Sequence, residues 1–141
     1  MIVLLDTDHI SILQYADAAV TTLQQRLAEL PSDAVRTCVV SFEEQTRGYL
    51  AFLHRARKRQ QILQGYANLV RLLHYYQSHD VLPFDDLAMD EFLRLQHQRI
   101  RIGTKDLRIA AIAKVSGAKL LTRNLRDFRQ VPGLDAEDWT S

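Results

Sequence analysis

The chain has 141 residues, a length that suits one domain (1–141) around one hydrophobic core. Apolar residues make up 47% and charged residues 25%, while the formal net charge is only +1; this excludes a disordered polyelectrolyte and a polycation that grips nucleic acid over its whole surface. Cys38 is the only cysteine, so no internal disulfide can form, and the opening apolar run is too short for a secretion signal or a membrane span; a cytoplasmic protein without a membrane role is expected.

Ile2-Val3-Leu4-Leu5 is continuously apolar, the pattern of a strand covered on both faces, and it stops at Asp6-Thr7-Asp8. A helix follows, with Val20, Leu23, Leu27 and Leu30 at helical spacing, ended by Pro31. Val35 to Val40 is rich in β-branched residues and predicts a second strand. Ser41 opens a long helix carrying Tyr49, Leu50, Phe52 and Leu53 on one side, with the basic run Arg55-Ala56-Arg57-Lys58-Arg59 near its end. A further helix over about Gln60 to Gln77 turns Ile62, Leu63, Tyr66, Leu69, Val70 and Leu73 inward, so that the two helices make a hairpin.

Val81-Leu82-Pro83-Phe84 is a short strand whose proline places it at an edge or an end. Asp85 and Asp86 can cap the next helix, through Leu95. Lys105 to Val115 is apolar nearly all round and predicts a buried helix, followed by a buried strand at Lys119-Leu120-Leu121-Thr122. Pro132-Gly133 makes a turn, and a last short strand falls near Trp139. Strands alternating with helices define an α/β class with a mostly parallel central sheet flanked by helices, and in such sheets the working site lies beyond the carboxyl ends of the strands.

Acidic residues recur at those ends. Asp6 directly follows the first strand, Glu44 starts the helix after the second, and Asp106 stands in the first turn of the buried helix. Asn124 and Asp127 follow the Leu120 strand. Four carboxylates gathered on one edge of a sheet repel one another unless cations join them, and Mg²⁺ or Mn²⁺ suits an all-oxygen donor set. A divalent ion so held assists phosphodiester hydrolysis. Each residue also has a local alternative. Ser41 and Glu44 have the spacing of a capping box, Asp106 can complement a helix dipole, and Asp127 can be a turn residue. Asp6 has no such alternative, since a carboxylate that closes an apolar strand serves little structural purpose.

Taken in order, these segments resemble the PIN-domain nucleases over nearly the whole chain. Leu4-Leu5-Asp6-Thr7-Asp8 is similar to their opening strand. Val39 to Gly48 resembles their second motif, with a glutamate four residues before a glycine, which selects Glu44 over Glu43. Gly103-Thr104-Lys105-Asp106-Leu107-Arg108-Ile109-Ala110-Ala111 and Leu121-Thr122-Arg123-Asn124-Leu125-Arg126-Asp127-Phe128 are similar to the third and fourth. The tail, Val131 to Leu134 with Asp138-Trp139, resembles the VapC-type toxin branch. The resemblance implies a three-layer PIN-like fold and a metal site of Asp6, Glu44, Asp106 and Asp127, with Asp8, Thr122 and Asn124 as supporting polar groups. It also implies Mg²⁺-dependent cleavage of RNA, with Mn²⁺ as substitute, inhibition by a cognate VapB-type antitoxin, and a homodimer. Asp8 stands where many members carry Asn, and the hairpin over 49–78 is longer than in the smallest members.

Arg47, Arg101, Lys105 and Arg108 lie nearest the acidic motifs and are the expected RNA contacts; the Arg55–Arg59 run reads as a solvated helix face. His9, His54, His74, His79 and His97 have no zinc-ligand spacing, and surface or capping roles are expected for all five. Gly48 and Gly103 are expected to allow close backbone approach. Two rival readings differ in class. Asp6-Thr7-Asp8 also resembles the nucleophile motif of haloacid-dehalogenase-like phosphatases, with Thr122 as their threonine, but no Asp-Asp pair follows it. A non-catalytic PIN-like domain that only binds RNA or a partner is the other, and the four filled acidic positions argue against it.

Overall fold

The computed structural model of the chain describes residues 1–15 and 18–141. Its first strand, β1 (Val3–Leu5), is fully buried along its length. Alternate side chains of β1 enter two separate cores: Leu4 packs in one, Val3 and Leu5 in the other. That is why the run is unbroken in sequence, since in a strand with helices on both faces no position meets water. β2 (Val35–Cys38), β3 (Asp80–Leu82), β4 (Lys119–Leu121) and β5 (Ala136–Glu137) complete a five-stranded sheet of order β3-β2-β1-β4-β5. Every pairing is parallel, with Val3 opposite Val35 and Lys119. The expected mostly parallel sheet is thus parallel throughout, and β3, ending just before Pro83, lies at an edge.

The helices α1 (Thr7–Tyr15), α2 (Val20–Ala28), α3 (Val39–Arg55), α4 (Arg59–Gln77), α5 (Asp86–His97), α6 (Thr104–Ser116) and α7 (Leu125–Phe128) flank this sheet. α5 and α6 cover one face, where Phe92, Leu95, Ile109 and Ile112 meet Leu4 and Leu120. α1, α2 and α4 cover the other, where Ile10, Leu23, Leu72 and Tyr76 meet Val3, Leu5 and Leu121. From Leu107 to Ala113 every residue of α6 except Arg108 is buried, as its nearly all-round apolar surface requires. Gly117 ends α6 in the left-handed region at φ 64°, and Gly133 (φ 77°) makes the turn before β5.

Several boundaries differ from the sequence expectation. The single helix carrying Val20 is preceded by a separate one, α1, whose inner face is His9, Ile10 and Ile12. β2 stops at Cys38, and Val39 and Val40 begin α3 in spite of their β-branched side chains, because Val40 packs in the core there. Ser41 therefore lies inside the helix and caps nothing. The last strand is Ala136–Glu137, ahead of Trp139.

The largest difference is in α4. Its buried residues are Gly65, Leu72 and Tyr76, while Leu63, Tyr66, Val70 and Leu73 are exposed. α4 carries apolar residues on more than one face, so its period marks a helix without marking the inner side. The inner side is set by Gly65, where an added Cβ would collide with the Leu53 side chain of α3. A Cβ at Gly48 or Gly103 meets nothing within 4 Å, so neither marks the close approach expected of it.

Candidate active site

In the order β3-β2-β1-β4-β5 the chain runs to one side of β1 first and then returns to the other with β4, so the switch falls between these two central strands. Their ladder continues one step past β1: the Asp6 N–H donates to the Leu121 carbonyl at 2.9 Å. This step sets Asp6 beside Thr122, the residue after β4. Thr122 is fully buried, and its hydroxyl donates to Asp6 Oδ2 at 2.7 Å. The Thr7 N–H donates to Asp6 Oδ1 at 2.8 Å. Asp6 is only 5% exposed, and its carboxyl is pushed up from 3.8 to about 7 by burial first, then by the charges of Asp8 and, less, Asp106; the bonds from Thr122 and Thr7 oppose this.

The other acidic residues arrive from four further elements. Glu44 lies in the second turn of α3, and its Oε1 accepts the Thr7 hydroxyl at 3.0 Å. Ser41, buried one turn earlier, has its Oγ 3.0 Å from that same hydroxyl and 3.7 Å from Cys38 Sγ. Asp106 is in the first turn of α6. Its carboxyl is raised by burial and by the charges of Glu44, Asp127 and Asp8, so all four face one region. Asn124 ties two of them: its Nδ2 donates to Asp127 Oδ2 at 3.0 Å and lies 3.4 Å from Asp106 Oδ2. Asp127 itself sits in the short helix α7.

Asp8 is held by both oxygens. Oδ1 is 2.8 Å from His9 Nδ1, and Oδ2 accepts the Arg123 N–H at 2.9 Å with the Thr122 hydroxyl at 3.4 Å. His9 is completely buried, which corrects the expectation of a surface or capping role for it. Thr7, Ser41 and His9 are the polar partners that sequence reading passed over. The one available signal was the position of Thr7 and His9 on either side of Asp8 at the mouth of an apolar strand.

Glu43 and Glu44 diverge. Glu43 meets Lys105 at 3.1 Å and Arg47 at 2.8 Å, and its carboxyl is held low by the Lys105 contact first and by the charges of Lys105, Arg47 and Arg108. Two of the four expected RNA contacts, Arg47 and Lys105, therefore pair with one partly exposed glutamate beside the acidic group, and the charge of Arg108 also reaches it. Arg108 also lies over the Phe92 ring at 5.3 Å. Arg101 is exposed just ahead of α6. Residues 55 and 57–59 are exposed around the α3–α4 connection.

The donor set is all oxygen, and burial together with neighbouring negative charge raises the carboxyls of Asp6 and Asp106, a cost that a hard divalent cation relieves. The arrangement is open. Among the described residues, no three carboxylate, imidazole or thiol groups close on one point tightly enough to hold an ion unaided. Water or a phosphate oxygen would complete any coordination shell there.

A wholly parallel α/β sheet with an acidic cluster at its switch point defines the class. The sequence signature of the PIN domain matches residues 3–134, and the chain belongs to the PIN domain family. A 59-residue stretch is 42% identical to Ribonuclease VapC1 of Rickettsia felis; it covers 39% of this chain and 44% of that protein, so the match spans less than half of the relative's length. Over full length the chain is similar to VapBC-1 of nontypeable Haemophilus influenzae (TM-score 0.77, 22% identity, 100% of each chain). It is also similar to the DNA-bound VapBC of Salmonella typhimurium (TM-score 0.75, 23% identity, 99% of each chain). At these identities the likeness establishes the fold. Among the described residues, no helix is long and apolar enough to cross a membrane.

Proposed function

We propose that this chain is a divalent-metal-dependent endoribonuclease and the toxin of a VapBC-type pair, acting in the cytoplasm as a single PIN domain. The observation that carries the reading is the buried carboxyl of Asp6, held at about 7 beside Asp8 and Asp106 at the end of the central strand. A fold tolerates such a cost where the group has work to do. The match to a protein named as a ribonuclease and the fold shared with VapBC complexes support the same reading.

Asp6, Glu44, Asp106 and Asp127 would hold the ion, Mg²⁺ by preference and Mn²⁺ as substitute. Bound there, the ion would supply positive charge against the negative charge developing on a phosphodiester and would acidify a water at the site. The protein's own groups do the rest. Thr7 and Thr122 fix both oxygens of Asp6, Thr7 orients Glu44, and Asn124 holds Asp127 towards Asp106. Asp8 keeps a further negative charge next to Asp6. Arg47, Arg101, Lys105 and Arg108 present cations where an RNA backbone would lie, with Glu43 keeping Arg47 and Lys105 in place in its absence. A VapB-type antitoxin and a second copy of the chain are the expected protein partners.

The test is Mg²⁺-dependent cleavage of RNA by the purified protein and by Asp6→Asn and Asp106→Asn. Loss of about a hundredfold or more is expected for each, the scale of removing one group from preorganised electrostatic stabilisation. Retention of full activity in either variant overturns the site.

A further inference from the structure

His9 is a buried ring that touches both the acidic site and the C-terminal segment. Its side chain is wholly inaccessible, and each ring nitrogen has its own partner. Nε2 accepts the backbone N–H of Trp139 at 3.2 Å, so it carries no proton. The proton is therefore on Nδ1, which donates to Asp8 Oδ1 at 2.8 Å. Asp138, at 3.7 Å from Nε2, is instead bonded by the N–H and hydroxyl of Thr140.

An aliphatic side chain at position 9 would fill the same space between Ile10 and Trp139 without polar atoms to satisfy. What the imidazole adds is one directed donor. The Asp8 side chain is a third exposed and, without that donor, is held through Oδ2 alone. With it, the carboxylate is gripped from α1 and from the Arg123 N–H, and it shares the Thr122 hydroxyl with Asp6. We propose that His9 is a positioning residue of the acidic site: its Nδ1–H locks Asp8 beside Asp6, and its Nε2 fastens the Trp139 segment to the same lock. This rests on the reading of the cluster as a metal site. It makes the last residues of the chain part of that site's support, 130 positions away in sequence.

Two substitutions separate the two bonds. In His9→Asn the side-chain amide stands near the place of Nδ1, so a donor to Asp8 remains while the acceptor for Trp139 is lost. In His9→Gln the longer amide reaches the place of Nε2, so the acceptor remains while the donor to Asp8 is lost. The readouts are the Mn²⁺ dissociation constant, from the paramagnetic resonance signal of free Mn²⁺, and hydrogen exchange at the Trp139 amide. His9→Gln is expected to weaken Mn²⁺ binding by about tenfold, the lower end of the cost of disturbing a group that supports the metal's ligands, with Trp139 still protected. His9→Asn is expected to weaken Mn²⁺ binding severalfold less than His9→Gln does, with faster exchange at Trp139. Unaltered Mn²⁺ affinity in His9→Gln, or equal weakening in both, overturns the proposal. Asp6→Asn, measured alongside, separates the two levels: if it too binds Mn²⁺ undiminished, the metal-site reading has failed, not merely the role of His9. Should either variant fail to fold, ¹⁵N spectra of the histidines in the unaltered protein decide. The Nδ1–H tautomer is expected for His9, and the Nε2–H tautomer overturns the lock.

Discussion

The carboxyl end of the sheet and the outer face of α4 break opposite halves of the usual burial rule. At the first, Asp6, Thr122 and His9 are taken out of water. Along the second, Leu63, Tyr66, Val70 and Leu73 are left in it. The two departures have different structure. Each oxygen of Asp6 meets a donor, one from the adjacent Thr7 and the other from Thr122, 116 positions away. The α4 face has no such directed contacts; it follows from a helix that spends its inner side on Gly65, Leu72 and Tyr76. Buried charge has to be built, whereas exposed apolar surface needs only to be tolerated. The first therefore says more about function than the second.

If that contrast is right, its largest consequence is a stability cost at Asp6. The carboxyl titrates at about 7 when folded and near 3.8 when unfolded. Between those values the folded protein holds a proton that the unfolded chain has released. The contribution of this group to stability therefore falls as pH rises through that window, and the full cost is present above it. In chelator, the unaltered protein should lose thermal stability from pH 4 to 7, and Asp6→Asn should flatten that slope and melt higher on the alkaline side. Saturating Mg²⁺ should restore the unaltered protein and leave the variant unmoved. A variant less stable than its parent in alkaline chelator breaks the contrast, since Asp6 would then be stabilising.

A smaller effect tests the inner side of the hairpin. The Tyr76 hydroxyl donates to Gln45 Oε1 at 2.8 Å, and Gln45 Nε2 donates to Gln14 Oε1 at 2.8 Å, so α4, α3 and α1 share one buried network. Burial and its neighbours push the Tyr76 phenol far above its ordinary value, which keeps it a donor. Tyr76→Phe preserves the edge contact with Phe42 and removes only the hydroxyl. A loss of about 1–2 kcal/mol in denaturant unfolding is expected, the cost of leaving a buried acceptor short of a partner. An unchanged midpoint would show that the network does not hold the hairpin.

What could be read in the sequence divides along the same line. Asp6, Glu44, Asp106 and Asp127 were legible because each sits at a junction that composition marks: an apolar run ending, or a helix beginning. Such junctions are local, and a parallel sheet places them together whatever the loops do. The donors around them were not legible. Thr7, Ser41 and His9 look like ordinary residues until the fold brings Trp139, Cys38 and Glu44 to them. The capping box at Ser41 failed because β2 ends two residues early, with Cys38 in the position before the helix. On α4, helical period was visible but the inner side was not, because a glycine sets it and glycine carries no hydropathy to count.

The smallest expected effect completes the comparison from the exposed side. Leu63 and Leu73 are each more than half exposed, so replacing them should return little buried area to water. Gln has nearly the helix propensity of Leu, so the backbone of α4 is not penalised either. The double variant Leu63→Gln/Leu73→Gln should keep its unfolding free energy to within about 0.5 kcal/mol per site while eluting earlier from a hydrophobic column. A loss of about 2 kcal/mol or more would place both leucines in a packed core and erase the distinction between the two faces of α4. An unchanged midpoint together with retained Mn²⁺ affinity would separate this face from the acidic site, since the carboxylates draw their support from Thr7, His9, Thr122, Arg123 and Asn124, and none of it from Leu63 or Leu73.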